Sequence, residues 1–277
     1  MPRPPDDIHT FRQLVLDHYA QHSRDLPWRH THDAYAILVS EVMLQQTQVV
    51  RVVPKYQSFV AAFPTLGALA AAPTSEVLSA WQGLGYNRRA LALQRSCQII
   101  ETDHGGVVPG SVAKLRELPG IGTATAAAVC VYAYDRPLPF IETNIRSAFI
   151  HFFFQECTSV SDAELLPLVV LALDTENPRD WYYALMDYGA WIKTAGPNPS
   201  RRSRHHAAQS PFAGSRREAR GAILRALLEA GPRGIVLDAL RAGPRLRDRE
   251  ESEVKSILDQ LADEGFLLQE GQNYRIA

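Results

Sequence analysis

The 277-residue chain has no apolar run near the roughly 18 residues that a membrane-spanning helix needs; the longest, Ala126 to Tyr134 and Leu165 to Leu173, are about half as long. Cysteine is scarce, and the scattered Cys97, Cys130 and Cys157 exclude a disulfide framework. The N-terminal Met-Pro-Arg-Pro-Pro-Asp-Asp lacks the basic-then-apolar plan of a secretory leader. The chain is therefore expected to stay in the compartment that makes it, the cytoplasm. Strand-like alternation is almost missing before residue 260. An excess of charge is missing too: 29 Lys and Arg stand against 30 Asp and Glu, which taken alone argues against a polyanionic partner.

The distribution of charge is less even than its sum. Residues 195–249 carry twelve arginines against four acids, whereas residues 250–277 carry seven acids against Lys255 and Arg275. An arginine-rich solvated surface and a basic nucleic-acid footprint both fit that pattern. Helical spacing dominates elsewhere. Val49, Val52, Val53, Tyr56, Phe59, Val60 and Phe63 recur at steps of three and four until Pro64, and similar stretches cover about 33–43, 74–81, 87–103, 125–134, 144–154 and 178–194. Ser161 to Glu164 reads as a capping box. Residues 1–194 are thus expected to form one all-α domain. Residues 195–215 interleave Pro, Ser and Gly with Arg and His as a basic linker. Helices over about 216–229, 236–242 and 249–264, followed by a hairpin over about 266–276, predict a small winged-helix-like domain at 216–277.

Leu118-Pro119-Gly120-Ile121-Gly122 sits between a helix expected to be capped by Ser111 and the small-residue helix that begins near Thr125. Two glycines permit a tight turn that presents backbone N–H groups at a helix N-terminus, where a phosphate oxygen is favoured. An ordinary tight turn would read the same way if it stood alone. It does not stand alone: Leu26-Pro-Trp-Arg29, Ser40-Glu-Val-Met-Leu-Gln-Gln-Thr-Gln-Val49, Phe63-Pro-Thr65, Trp81-Gln-Gly-Leu-Gly-Tyr86 and Met186-Asp-Tyr-Gly189 surround it. In order and spacing these strings resemble the A/G-specific adenine DNA glycosylases of the helix-hairpin-helix GPD superfamily, relatives of endonuclease III, over about residues 10–195.

That resemblance implies a helix-hairpin-helix fold and a site. Glu41 matches the family's general acid, which must stay partly neutral near pH 7 to protonate a departing base; desolvation can achieve this. Glu142, in Phe140-Ile-Glu-Thr-Asn-Ile145, stands where the family has an aspartate that steadies the oxocarbenium-like sugar, and Asn144 matches a polar partner in the same site. The extra methylene shifts the carboxylate by about 1.5 Å unless the backbone compensates, and shifts of about 1 Å can cost a hundredfold in rate. Gln45, Gln46 and Gln48 match residues that enter the base stack, Tyr86 the wedge, and Arg88 and Arg89 phosphate contacts. Pro119, Gly120, Ile121 and Gly122 form the DNA-binding hairpin. Ala124 stands where bifunctional relatives place the lysine nucleophile and where many adenine glycosylases place a tyrosine, which implies base release without strand cleavage.

Most relatives hold an iron-sulfur cluster on a C-x6-C-x2-C-x5-C pattern after the Met-Asp-x-Gly helix. Here Lys193 stands at the first ligand position and no cysteine follows, so no metal or other cofactor is expected. His205 and His206 are too few for a replacement site. Arg201, Arg202 and Arg204 are instead expected to face DNA, with the arginines at 216–220, while the acidic helix near 250–264 faces solvent, the catalytic domain or a protein partner. The family's 8-oxoguanine-checking domain has no counterpart here. The sequence therefore predicts a monomeric, monofunctional glycosylase acting on double-stranded DNA, with adenine opposite 8-oxoguanine or guanine as substrate. Excision of uracil, thymine or a deaminated purine, or lesion binding without chemistry, remain the alternatives.

Overall fold

The computed structural model describes residues 5–207 and 211–277. Its helices are α1 (Pro5–His22), α2 (Ala34–Leu44), α3 (Val49–Ala62), α4 (Leu66–Ala71), α5 (Thr74–Trp81), α6 (Arg88–His104), α7 (Val112–Leu115), α8 (Thr123–Tyr134), α9 (Thr143–Phe153), α10 (Asp162–Ala172), α11 (Pro178–Ala195), α12 (Arg216–Ala230), α13 (Leu237–Arg241) and α14 (Glu251–Asp263). Strands β1 (Ile235–Val236), β2 (Leu267–Glu270) and β3 (Asn273–Ile276) form an antiparallel sheet of order β1-β3-β2. The expected helices appear with ends within two residues of their predicted bounds. Spacing did not reveal α1, because only Phe11 and Val15 of its stripe are fully buried, nor β1, whose two residues are too short for an alternating pattern. No described helix is long and apolar enough to cross a membrane.

The chain divides into two compact units, each discontinuous in sequence. One comprises Met1–Glu41, Val108–Glu117 and Ile121–Ala208. Its core gathers Phe11 against the rings of Phe149, Phe152 and Phe153 at 4.8, 5.2 and 5.1 Å, with Trp181 edge-on; α11 packs along α9 and α1. The Ser161 capping box opens α10 as expected, whereas Ser111 begins α7 without a side-chain cap. After α11 the chain makes a 3-10 turn at Pro199–Arg202 and runs parallel to Val160, whose N–H donates to Arg202 O at 2.8 Å. Residues 195–207 are thereby bound into this unit.

The other unit comprises Val42–Val107, Leu118–Gly120 and Gln209–Ala277. Phe59, Phe63 and Trp81 form an edge-to-face aromatic cluster in its helical part. Helices α12 and α14 pack on each other and on the sheet, with Ile223, Leu227, Ile257, Leu261 and Phe266 buried.

Candidate active site and DNA-facing turns

Glu41 lies in the last turn of α2 between buried Ser40 and Val42. Burial, reinforced by repulsion from the Glu142 carboxylate, pushes its carboxyl up from 4.5 to about 8. A neutral acid at pH 7 follows. Tyr132 and Tyr183 stack in the same surroundings, with ring centroids 4.5 Å apart, and the Arg29 guanidinium covers the Tyr183 ring at 4.5 Å. Burial first, and the charge of Glu41 next, raise the Tyr132 phenol well above its usual range, so it stays protonated. Its hydroxyl is buried and has no hydrogen-bond partner among the described residues.

Glu142 is the N-cap of α9. Its Oε1 accepts from the backbone N–H of Asn144 at 2.6 Å and of Ile145 at 3.0 Å, as a capping carboxylate should. The longer glutamate thus still reaches the helix end that an aspartate would cap. Its Oε2 accepts from Asn144 Nδ2 at 3.3 Å.

Helix α11 supplies the seat for this pair, which explains the Met186-Asp-Tyr-Gly189 string. Met186 Sδ lies 3.6 Å from Asn144 Nδ2. A Cβ on Gly189 would fall 2.1 Å from the Asn144 carbonyl oxygen, so only glycine lets the two backbones approach. One turn later, Lys193 Nζ donates to Asn144 Oδ1 at 2.7 Å. Asp187 points the other way, 2% exposed, and receives Arg29 at 2.6 and 2.8 Å and Arg24 at 2.6 and 2.9 Å. Burial alone would raise the Asp187 carboxyl, but these hydrogen bonds and charges outweigh it and hold it below the usual range. Spacing does not reveal the pairing of Arg29 with Asp187; the signal for it is their opposite charge in two separate motifs.

In the hairpin, Gly120 takes φ +76°, which demands glycine, and Pro119 O accepts from Ser96 Oγ at 3.0 Å. Gly122 is the N-cap of α8 in extended backbone, and a side chain there would meet nothing. The Gly122 position is therefore open to a ligand's approach. Ile121 is buried, so its side chain anchors the turn while its backbone remains the part suited to a phosphate. Ala124 lies half-buried in the first turn of α8.

Gln46 and Tyr86 share an unusual property: both hold positive φ, +53° and +48°, where non-glycine residues are uncommon. Arg89 holds both turns. Its guanidinium donates to Val42 O and Met43 O at 2.9 Å each, to Gln45 O, to Thr47 Oγ1 at 2.9 Å and to Gly85 O at 3.2 Å, and it lies 5.5 Å from the Tyr86 ring centroid. Arg89 therefore acts on the scaffold of these turns rather than standing free. Gln45 Nε2 donates to Gly120 O at 3.2 Å, while Gln46 and Gln48 are exposed.

Of the other arginines expected to face DNA, several are engaged with protein groups instead. Arg88 pairs with Glu264, its Nε 2.8 Å from Oε2, and Arg220 donates to the same carboxylate. Arg217 Nη1 donates to the Tyr86 hydroxyl at 2.8 Å. The acidic end of α14 thus contacts α6 and α12 through Glu264. Arg202 donates to the carbonyls of Phe154, Gln155 and Cys157 at 2.6, 2.8 and 3.2 Å and to Ile150 O at 3.4 Å, closing the C-terminus of α9. That geometry commits it to the fold, because the helix end supplies carbonyls with no partner of their own. Arg201 and Arg204 are exposed, Arg204 Nε reaching Ser159 Oγ at 3.2 Å.

The donor set after α11 does not fit an iron-sulfur cluster. Lys193 bonds Asn144, Arg202 and the Val160 strand segment hold the following residues, and the sequence supplies no thiolate there. Cys97 and Cys130 are buried elsewhere and Cys157 is exposed.

Known proteins share this arrangement of sequence and fold. The HhH-GPD superfamily base excision DNA repair protein model matches residues 39–165. The chain is 36% identical over 288 residues to the adenine DNA glycosylase of Mycolicibacterium smegmatis, covering 95% of this chain and 98% of that protein. It is 37% identical over 185 residues to the adenine DNA glycosylase of Mycobacterium tuberculosis, covering 65% and 61% of the two. Among solved structures, a thermostable thymine-DNA glycosylase superposes with a TM-score of 0.59 at 26% identity, over 67% of this chain and 87% of that one. Since the mycolicibacterial alignment spans nearly all of both proteins and the superfamily match runs from the helix of Glu41 through the segment of Glu142 and Asn144, the chain belongs to the adenine DNA glycosylases of the HhH-GPD superfamily.

Proposed function

We propose that the protein is a monofunctional DNA glycosylase of base excision repair that hydrolyses the N-glycosidic bond of adenine mispaired with 8-oxoguanine or guanine. One observation carries the reading: a desolvated carboxyl at Glu41, in the last turn of α2, within electrostatic reach of a second carboxylate fixed at a helix N-terminus, which favours its protonated form. Glu41 donates its proton to a ring nitrogen of the extruded base as the C1′–N bond breaks. The Glu142 carboxylate faces the positive charge that develops on the sugar. Water then adds to C1′, giving its proton to the anion left on Glu41, and the acid is restored. Asn144 fixes the Glu142 carboxylate from the side. Gln45, Gln46, Gln48 and Tyr86 enter the stack around the extruded base, and the hairpin at Pro119–Gly122 takes a phosphate. The protein works as a monomer on double-stranded DNA, with 1–194 as its glycosylase part and 216–277 as a winged-helix-like module, where a protein partner could also dock.

A panel of duplexes carrying A opposite 8-oxoguanine, G or C, and U or T opposite G, followed by alkali, reads both the base removed and its partner. Cleavage only after alkali at A opposite 8-oxoguanine or G is expected. Predominant excision of U or T would replace adenine as the substrate. Cleavage without alkali, with a borohydride-trapped adduct, overturns monofunctional chemistry.

A further inference from the structure

Lys193 is a cation placed in the active site with no carboxylate of its own. Among the described residues it forms no ion pair, while the neighbouring arginines are already matched: Arg146 with Asp162 at 2.6 Å and Arg24 with Asp187 at 2.6 Å. What Lys193 holds is the oxygen of Asn144, at 2.7 Å. The other end of that amide faces Glu142 Oε2 and Met186 Sδ. Because Nδ2 donates and Oδ1 accepts, these partners leave the amide one satisfactory orientation. Met186, Gly189 and Lys193 lie on successive turns of α11 and all meet Asn144, from its side-chain nitrogen, its backbone and its side-chain oxygen.

We propose that Lys193 is a positioning residue for base excision: through Asn144 it fixes the Glu142 carboxylate against the reacting sugar, tying the end of α11 to the catalytic end of α9. This rests on the glycosylase reading above. The contact ends a chain, ammonium to amide to carboxylate, in which the ammonium stands one residue back from the sugar. The charge that would oppose an oxocarbenium ion is thereby kept at a distance, while its hydrogen bond orders the group that stabilises the ion. Burial lowers the Lys193 ammonium from its usual range, and the Glu142 charge works against that fall. The same contact gives the segment after α11 an anchor made without thiolates.

The test is a double-mutant cycle read in single turnovers on the duplex that the wild type cuts. Lys193→Met keeps the stem and removes the donor; excision is expected to slow about 10- to 100-fold, with binding to an uncleavable duplex changed less than about threefold. Lys193→Arg should recover most of the rate. In an Asn144→Ala background, Lys193→Met should slow excision no further, because the link it serves is already gone. A wild-type rate in Lys193→Met, or losses that multiply in full in the double variant, overturns the proposal. Thermal unfolding of the same four proteins gives a readout that needs no substrate. Fully additive shifts in the unfolding midpoints disprove the Lys193–Asn144 link, whereas coupled midpoints in a wild type that excises nothing refute the glycosylase reading instead.

Discussion

Glu41 and Arg88 show opposite uses of charge in the two units. Around Glu41, burial and the like charge of Glu142 act in the same direction, so the carboxyl keeps its proton to about pH 8. Around Arg88 the charges answer one another: Glu264 takes both Arg88 and Arg220, and Arg217 takes the Tyr86 hydroxyl. The first arrangement stores reactivity. The second holds elements together, and its exposed ion pair, Arg88 with Glu264, is worth about 0–1 kcal/mol. An arginine count therefore overstates the surface left for DNA, whereas the desolvated Glu41 carboxyl stands out by the proton it keeps.

The largest break in this contrast is expected from Glu41→Gln. Removing the proton donor while keeping its shape should lower single-turnover excision about 10²–10⁴-fold and leave duplex affinity within a few-fold. Equal rates in mutant and wild type would remove Glu41 from the chemistry.

The same variant tests the raised acidity through stability. The folded-state value of about 8 lies above the ordinary 4.5, so between those limits the folded protein holds a proton that the unfolded chain has released. The stability contributed by the protonated group is full below about pH 4.5, falls by roughly 1.4 kcal/mol per pH unit as an upper estimate, and is lost as pH rises through about 8. Glu41→Gln should accordingly melt above the wild type at pH 8.5, with the gain shrinking toward pH 5. Excision by the wild type should decline across pH 8 as the acid ionises. A melting difference that does not vary with pH would contradict the desolvated carboxyl.

Arg202 and Arg201, adjacent in sequence, sharpen the contrast between scaffold and surface. Arg202→Ala leaves the carbonyls at the end of α9 without their donor and should cost about 2–4 kcal/mol in denaturant unfolding. Arg201→Ala should change stability by less than about 0.5 kcal/mol while lowering the salt slope of DNA binding by about 1. Reversed results would place Arg202 on DNA and Arg201 in the fold.

The smallest effect concerns the orphan hydroxyl beside Glu41. If it meets neither water nor base, Tyr132→Phe should stabilise the protein by about 1–2 kcal/mol with excision unchanged. Slower excision with no gain in stability would identify Tyr132 as a contact to the extruded base or to the attacking water.

Much of the site was readable as sequence because its constraints are local. The Ser40–Val49 string, the glycine that the hairpin turn needs at Gly120, and the Glu142 carboxylate two residues before Asn144 are each set within ten residues of chain. The all-α class was legible for the same reason, since helical spacing repeats over short distances. Roles that join distant segments were not legible. Residues 24 and 29 meet 187, residue 202 closes the helix that ends at 153, and residue 193 reaches 144; no periodicity encodes such pairs.

The sequence by itself determined which side chains could do chemistry: a glutamate in a ten-residue string, a carboxylate before an asparagine, and no lysine at the hairpin. The tertiary structure decided what each is able to do. Acid strength depends on the water that packing removes, which is why Glu41 keeps its proton where an exposed glutamate would lose it. Availability depends on partners brought in from other parts of the chain. Arg202 is thereby committed to the end of a helix while its neighbour Arg201 stays at the surface.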